Sequence, residues 1–166
     1  MLRMGIDIGG TKANIGLLDD EGKILARRRL PMSREEGCPT SLERIAGAAR
    51  ELLAEHGRSL CDLGFCGMGV PGTVDASARV ALNCPNLGWV NAPCARYFEE
   101  ICGVSPRLAQ DSRAAALGEY LFGEGRGRQL LVCVTLGTGI GGGIVYRGEI
   151  FSGALGTAGE IGHIPV

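Results

Sequence analysis

From the amino terminus the chain reads as short apolar runs divided by glycine turns. Residues 2 to 8 (Leu-Arg-Met-Gly-Ile-Asp-Ile), 13 to 18 and 24 to 30 are strand-like, and turns at Gly9-Gly10-Thr11 and Asp19-Asp20-Glu21-Gly22 join them into a meander of two hairpins. From Thr40 to His56 the period changes. Apolar residues at 42, 45, 46, 49, 52 and 53 form a 3.6-residue stripe, with Thr40 and Glu43 as a capping box and Gly57 as a stop, which predicts one amphipathic helix.

Leu63 to Val70 reads as a buried strand running into Pro71-Gly72-Thr73. Asn91 is expected to cap a short helix with Cys94, Tyr97, Phe98 and Ile101 on one face, ended by Gly103. A strand over 104 to 109 then leads into a helix that opens at Asp111 and closes near Gly123. The alternation of glycine and charge over Gly123-Glu124-Gly125-Arg126-Gly127-Arg128 is linker-like and sets the expected domain boundary: 1–122, then 123–166. Leu130 to Leu136 and Ile140 to Tyr146 are apolar along most of their length, as in strands buried on both faces. The second domain has only about 40 residues, too few for a core of its own, so the chain looks cut short and is expected to associate or lose order after Gly123.

Glycine is in excess, 28 of 166 residues or about 17% against a usual share of about 7%, which requires many tight turns or close backbone approaches. Seventeen basic against 18 acidic residues give a net charge of −1 without a long basic run, which argues against nucleic acid or an acidic membrane surface as partner. No secretory signal and no 18-residue apolar stretch is visible, which argues against export or membrane spanning. The seven cysteines contain no Cys-x-x-Cys pair, and several fall on apolar positions; they read as reduced core thiols in a cytoplasmic protein.

Four segments carry candidate chemistry. Asp7-Ile8-Gly9-Gly10-Thr11-Lys12 places an acid before a glycine turn and a hydroxyl and an amine after it. Backbone N–H groups at Gly9 and Gly10, the Thr11 hydroxyl and the Lys12 cation suit phosphate, and Asp7 suits Mg²⁺ or its water shell. An ordinary hairpin turn is the plainer reading, but Asp7 lies between two isoleucines in a strand expected to be buried, where a lone carboxylate needs a partner. Leu136-Gly137-Thr138-Gly139-Ile140-Gly141-Gly142-Gly143 formally contains the dinucleotide fingerprint. Strand formers follow it where that motif must open a helix, so it reads as a second phosphate hairpin at Gly137, Thr138 and Gly139, facing the first across a cleft. Asp111, between a strand end and a helix start, is either an N-cap or the base that deprotonates a hydroxyl attacking a γ-phosphate. Glu160 and His163 in Gly159-Glu160-Ile161-Gly162-His163 share one face of a helical turn, fit to grip vicinal hydroxyls or a metal, and His56 falls at the solvent end of its helix.

With Gly69-Val70-Pro71-Gly72, Asn86-Leu87-Gly88-Trp89 and Ala114-Ala115-Ala116-Leu117-Gly118-Glu119, these segments resemble, in order, the ROK family of sugar kinases, relatives of hexokinase and actin, and most of all its bacterial glucokinase branch. The resemblance implies an α/β, ribonuclease-H-like fold with the beginning of a second such domain. It implies that the Asp7 and Thr138 loops hold ATP phosphates and Mg²⁺, that Asp111 is the base acting on a hexose's primary hydroxyl, and that Gly72, Asn86, Gln110, Glu160 and His163 surround the sugar. It further implies a homodimer, and zinc on His163 where a downstream cysteine cluster completes the site. The family's Asn on either side of the catalytic Asp is replaced here by Gln110 and Arg113. Arg113 is expected to lower the Asp111 pKa and weaken it as a base. Two further readings are a transcriptional regulator of the same family, which needs a winged-helix segment ahead of a first strand that starts at residue 2, and a non-catalytic sugar-binding fragment.

Overall fold

The computed structural model describes residues 1–137 and 139–164, and its chain separates into two compact units, Met1–Gln110 and Asp111–Val166. The first unit runs β1 (Leu2–Ile8), β2 (Lys12–Leu18), β3 (Ile24–Pro31), α1 (Gly37–Glu55), β4 (Leu63–Val70), β5 (Thr73–Val74), β6 (Ala81–Cys84), β7 (Trp89–Ala92), α2 (Cys94–Cys102) and β8 (Arg107–Gln110). Its main sheet has the order β3-β2-β1-β4-β8. Short turns make β1, β2 and β3 antiparallel, whereas the crossover through α1 returns β4 parallel to β1, and β8 lies parallel to β4.

Alternation along the strands sets the two faces of this sheet. Met4, Ile6, Ile8, Ala13, Ile15, Leu17, Cys66, Met68 and Val70 are buried in one core with Leu42, Ile45, Leu52 and Leu53 of α1 and Phe98 of α2. Gly5, Asp7, Asn14 and Gly16 lie on the opposite face. The Gly57 stop is a Schellman closure: Gly57 N donates to Ala54 O and Arg58 N to Leu53 O, with Gly57 at φ +64.

Other local expectations need correction. α1 starts at Gly37, with Glu36 as its N-cap and no side-chain cap bond, so Thr40 and Glu43 lie inside the helix rather than forming a capping box. Pro39 is tolerated in that first turn because its missing N–H has no intrahelical partner there. Asn91 is not a cap either. It ends in β7 at φ +48, and α2 is preceded by Pro93. β8 begins at Arg107 rather than 104 and reaches Gln110. The strand pairs of the small sheet β5-β6-β7 are two to four residues long, too short to register as periodic runs.

The second unit holds α3 (Asp111–Phe122), β9 (Leu130–Leu136), β10 (Ile140–Tyr146) and β11 (Glu149–Ile150), with sheet order β11-β10-β9. Glycines let the helix approach the sheet. A Cβ on Gly143 would sit 2.6 Å from Ala116 Cβ and 3.0 Å from Arg113 Cα, and one on Gly141 3.0 Å from Ser112 Cβ. Because α3 is embedded in this unit, the compact units divide after Gln110 and not near Gly123. The expected linker is a closed turn. Gly123 N and Gly125 N both donate to Glu119 O, Arg126 N to Gly123 O and Arg128 N to Gly125 O. Gly125 is buried, and a Cβ there would lie 2.8 Å from Tyr120 Cα.

β9 is not buried on both faces. Leu130, Val132, Val134 and Leu136 are 51 to 80% exposed along one side, and the residues between them are half-buried. None of the helices among the described residues is long and apolar enough to cross a membrane.

Two outcomes follow from this packing. Phe98→Ala should cost about 3–5 kcal/mol in a urea melt, whereas Val90→Ala, at an exposed site, should stay within about 0.5 kcal/mol. Val132→Thr combined with Val134→Thr should shift a polypeptide of these 166 residues toward monomer in light scattering, because it removes apolar surface without loss of strand propensity.

Candidate active site

In the first unit the carboxyl ends of the parallel strands β1, β4 and β8 converge, where open α/β sheets bind ligands. Asp7 is in register with Asn14 on one side and Gly69 on the other, and Val70 is in register with Gln110. Asp7 is not the buried carboxylate the flanking isoleucines suggest. Ile6 and Ile8 face the core, and alternation turns Asp7 to the open face, where Asn14 Nδ2 donates to its Oδ2 at 3.1 Å. The following turn is closed by Gly9 N donating to Lys12 O at 2.8 Å, and Met32 N donates to Thr11 O at 3.0 Å. The Thr11 and Lys12 residues are exposed.

Asn86, on the turn between β6 and β7, meets this loop directly. A Cβ on Gly10 would lie 3.3 Å from Asn86 Cβ and 3.4 Å from its carbonyl oxygen. Gly72 is similarly constrained, since a Cβ there would collide with Asn83 O and would lie 2.8 Å from Cys84 Cα. The structure thus brings together Asp7, Gly9, Gly10, Thr11, Lys12, Gly72, Asn86 and Gln110 at one end of the first unit.

The second unit carries the remaining candidates. Asp111 is the first residue of α3, and its Oδ1 accepts from Ser112 N at 2.6 Å. At the turn between β9 and β10, Gly137 N donates to Gly139 O at 2.9 Å, and Thr138 lies outside the described residues. A Cβ on Gly137 or Gly139 meets none of the described residues beyond its chain neighbours within 4 Å. Packing against the rest of the described chain therefore does not account for them. Gly142 differs: a Cβ there would collide with Gly159 O and would lie 3.0 Å from Ile161 Cγ1, so this glycine seats the 159–161 segment on β10.

That segment places Glu160 just before a single 3-10 turn, Ile161–His163, with His163 Nδ1 3.6 Å from Glu160 Oε2. The pair is brought together as its spacing requires, on a 3-10 turn. On the other side Glu160 Oε1 lies 3.7 Å from Arg113 Nη2, which also donates to Gly156 O at 2.6 Å and Ala158 O at 3.2 Å. This engagement of Arg113 had no signal in the sequence, because its partners lie more than 40 positions downstream. Asn14 did have one, since it stands opposite Asp7 once the hairpin register is counted from the glycine turn.

Among the described residues no group of three or more His, Cys, Asp and Glu side chains is spaced to hold a metal. His163 is 81% exposed, with Glu160 beside it, so these residues do not by themselves fit zinc. Asp7 does fit the magnesium role: an accessible carboxylate, oriented by an amide, suits a hard cation that keeps most of its waters.

The five-stranded mixed sheet, followed by a second unit in which α3 packs on an antiparallel sheet of its own, defines an actin/hexokinase-type, ribonuclease-H-like protein. The chain belongs to the ROK family, whose model matches residues 3–166. It is similar to the glucokinase of Halalkalibacterium halodurans, 36% identical over 163 residues that cover 98% of this chain and 49% of that protein. Among solved structures it resembles a ROK family glucokinase from Streptomyces griseus in complex with glucose and AMPPNP, at 36% identity and a TM-score of 0.84, covering 100% of this chain and 51% of that one. It also resembles the ROK hexokinase of Thermus thermophilus, at 34% identity and a TM-score of 0.86, covering 100% and 54%. The chain spans about half the length of these relatives.

The two kinds of glycine can be separated experimentally. Gly142→Ala should destabilise the second unit by about 1–3 kcal/mol, because a carbonyl oxygen occupies the space its methyl needs. Gly139→Ala should leave thermal unfolding within about 0.5 kcal/mol of the parent.

Proposed function

We propose that this protein transfers the γ-phosphoryl group of ATP to the primary hydroxyl of a hexose, with Asp111 as general base. The observation that carries the reading is the make-up of the second unit. It combines a carboxylate at the start of α3, a Glu160–His163 pair spaced for sugar hydroxyls, and a turn whose two glycines have no packing reason to be glycine. The similarity to the Streptomyces griseus glucokinase, solved with glucose and an ATP analogue, supports the same assignment.

Asp111 accepts the proton of the primary hydroxyl as the oxygen attacks the γ-phosphorus and ADP departs. Gly72, Asn86, Gln110, Glu160 and His163 orient the sugar; the carboxylate of Glu160 accepts from hydroxyls that the His163 ring also reaches. The Gly9-Gly10 and Gly137–Gly139 turns, with Thr11, Thr138 and Lys12, take phosphate oxygens, although the Gly9 and Gly137 N–H groups also close those turns on Lys12 O and Gly139 O. Asp7 is the residue that would hold Mg²⁺, directly or through water, and the ion would supply charge neutralisation at the phosphates. The Arg113 cation lies against the 156–160 segment, and this engagement supports retention of Asp111 as the base despite the nearby positive charge.

The test is turnover of glucose with ATP and Mg²⁺. Asp111→Asn should lower kcat by about 10²–10⁴-fold with the fold intact, since Asn suits a helix start as well as Asp does. A loss below about tenfold would remove Asp111 from the base role. Gly139→Ala should raise the KM for ATP more than that for the sugar, and equal losses would instead indicate damage to the fold.

A further inference from the structure

We propose that Arg113 is a positioning residue for sugar recognition, tying the first turn of α3 to the segment that presents Glu160. The inference rests on the sugar-kinase reading above.

The segment in question has little to hold it by itself. Between β11 and the 3-10 turn at 161–163 no helix or strand forms, and Gly153, Gly156 and Gly159 adopt φ of +70, +72 and +91. Its own backbone bonds are short-range turns, with Ala158 N donating to Ser152 O at 3.0 Å, Gly156 N to Gly153 O at 3.4 Å, Glu160 N to Thr157 O at 3.3 Å and Ile161 N to Gly159 O at 2.8 Å. One nitrogen of Arg113 supplies three further attachments: the carbonyls of Gly156 and Ala158, and the Glu160 carboxylate at 3.7 Å. The anchor end is firm, because Arg113 sits on α3 with its Cα where β10 had to give up a side chain at Gly143. Its side chain is 14% exposed and that of Glu160 25% exposed, so the pair is shielded from most of the solvent screening that makes surface ion pairs weak.

The arrangement is poor as a device for stability. Arg113 Nε is buried with no hydrogen-bond partner among the described residues, a cost set against whatever stability its other contacts supply. It is well suited to aiming a carboxylate. Glu160 lies between Arg113, 3.7 Å from Oε1, and His163, 3.6 Å from Oε2, so Arg113 biases the side on which the carboxylate sits while both oxygens keep lone pairs for substrate hydroxyls. An Asn at this position, as the family resemblance expects, stops well short of the 156 and 158 carbonyls. The substitution therefore exchanges a short amide for a long cationic tie between the helix that begins with Asp111 and the carboxylate that orients the sugar.

The experiment uses the complete protein and glucose as the probe, with Arg113→Asn, Arg113→Lys and Glu160→Gln made singly, and Arg113→Asn also combined with Glu160→Gln. Arg113→Asn should raise the KM for glucose about tenfold while the KM for ATP stays within about twofold. Arg113→Lys, which keeps the charge but not the fork, should recover part of the loss. In the Glu160→Gln background Arg113→Asn should add less than about twofold, because its effect runs through that carboxylate. A glucose KM within about twofold of the parent in Arg113→Asn, or an undiminished effect in the Glu160→Gln background, overturns the proposal. Should Arg113→Asn fail to fold, Arg113→Lys carries the test, and a parental glucose KM there is the overturning result. Amide exchange reads the tie without turnover: Arg113→Asn should lose protection at Ala158 and Glu160, and unchanged exchange overturns it. A parent protein that phosphorylates no hexose sinks the sugar-kinase reading and leaves this exchange result standing on its own.

Discussion

Everything in the second unit depends on how closely other backbone can approach β10. Side chains there alternate between faces, so Gly141 and Gly143 expose one face to α3 while Gly142 exposes the other to Gly159 and Ile161. No larger residue fits at 142 or 143 without displacing a carbonyl oxygen or a helix backbone. The geometry of this contact places the first turn of α3, with Asp111 and Arg113, and the 159–161 segment, with Glu160, against opposite faces of one strand. Candidate site residues from distant parts of the chain are thereby referred to a single strand, as positioning to within fractions of an ångström requires.

A comparable constraint organises the first unit. Gly10 admits the Asn86 turn, and Gly72 admits the backbone of β6, so the small sheet is pressed onto the ends of β1 and β4. The parallel pairing of β4 with β1 and β8 brings Asp7, Val70 and Gln110 to the same end of the main sheet. The large core beneath, from Met4 to Phe98, lies on the opposite face and takes no part in this chemistry. The core and the candidate site residues are divided between the two sides of one sheet, which is why Asp7 can sit between two core isoleucines and still be accessible.

Elements with a strong period were legible in the sequence: the meander, β4 and the α3–β9–β10 run lie within a residue or two of their expected bounds, and α1 differs by three residues at its start. What was not legible was decided by tertiary contact. The two- to four-residue strands β5 to β7 have no period to detect, and Thr40 resembles a cap only until Pro39 and the preceding turn extend the helix beyond it. The glycine and arginine stretch after α3 has the composition of a linker but closes on Glu119, because Gly125 must pass within contact distance of Tyr120. Candidate site residues were named from local motifs. Their mutual support was not visible, since the Gly10–Asn86 and Arg113–Glu160 pairs join residues with no periodic relation in the chain.

The formal dinucleotide fingerprint shows how packing separates two meanings of one motif. Gly137, Gly139 and Gly142 have the required spacing, yet they serve different ends. Gly142 is demanded by a neighbouring carbonyl, whereas a methyl group at Gly137 or Gly139 would meet none of the described residues beyond its chain neighbours within 4 Å. A strand follows the run, so there is no helix N-terminus to receive a pyrophosphate. A glycine that the fold does not need is explained by something the fold leaves room for. The phosphate role proposed above for this turn uses that open space rather than the Gly137 N–H, which already donates to Gly139 O within the turn.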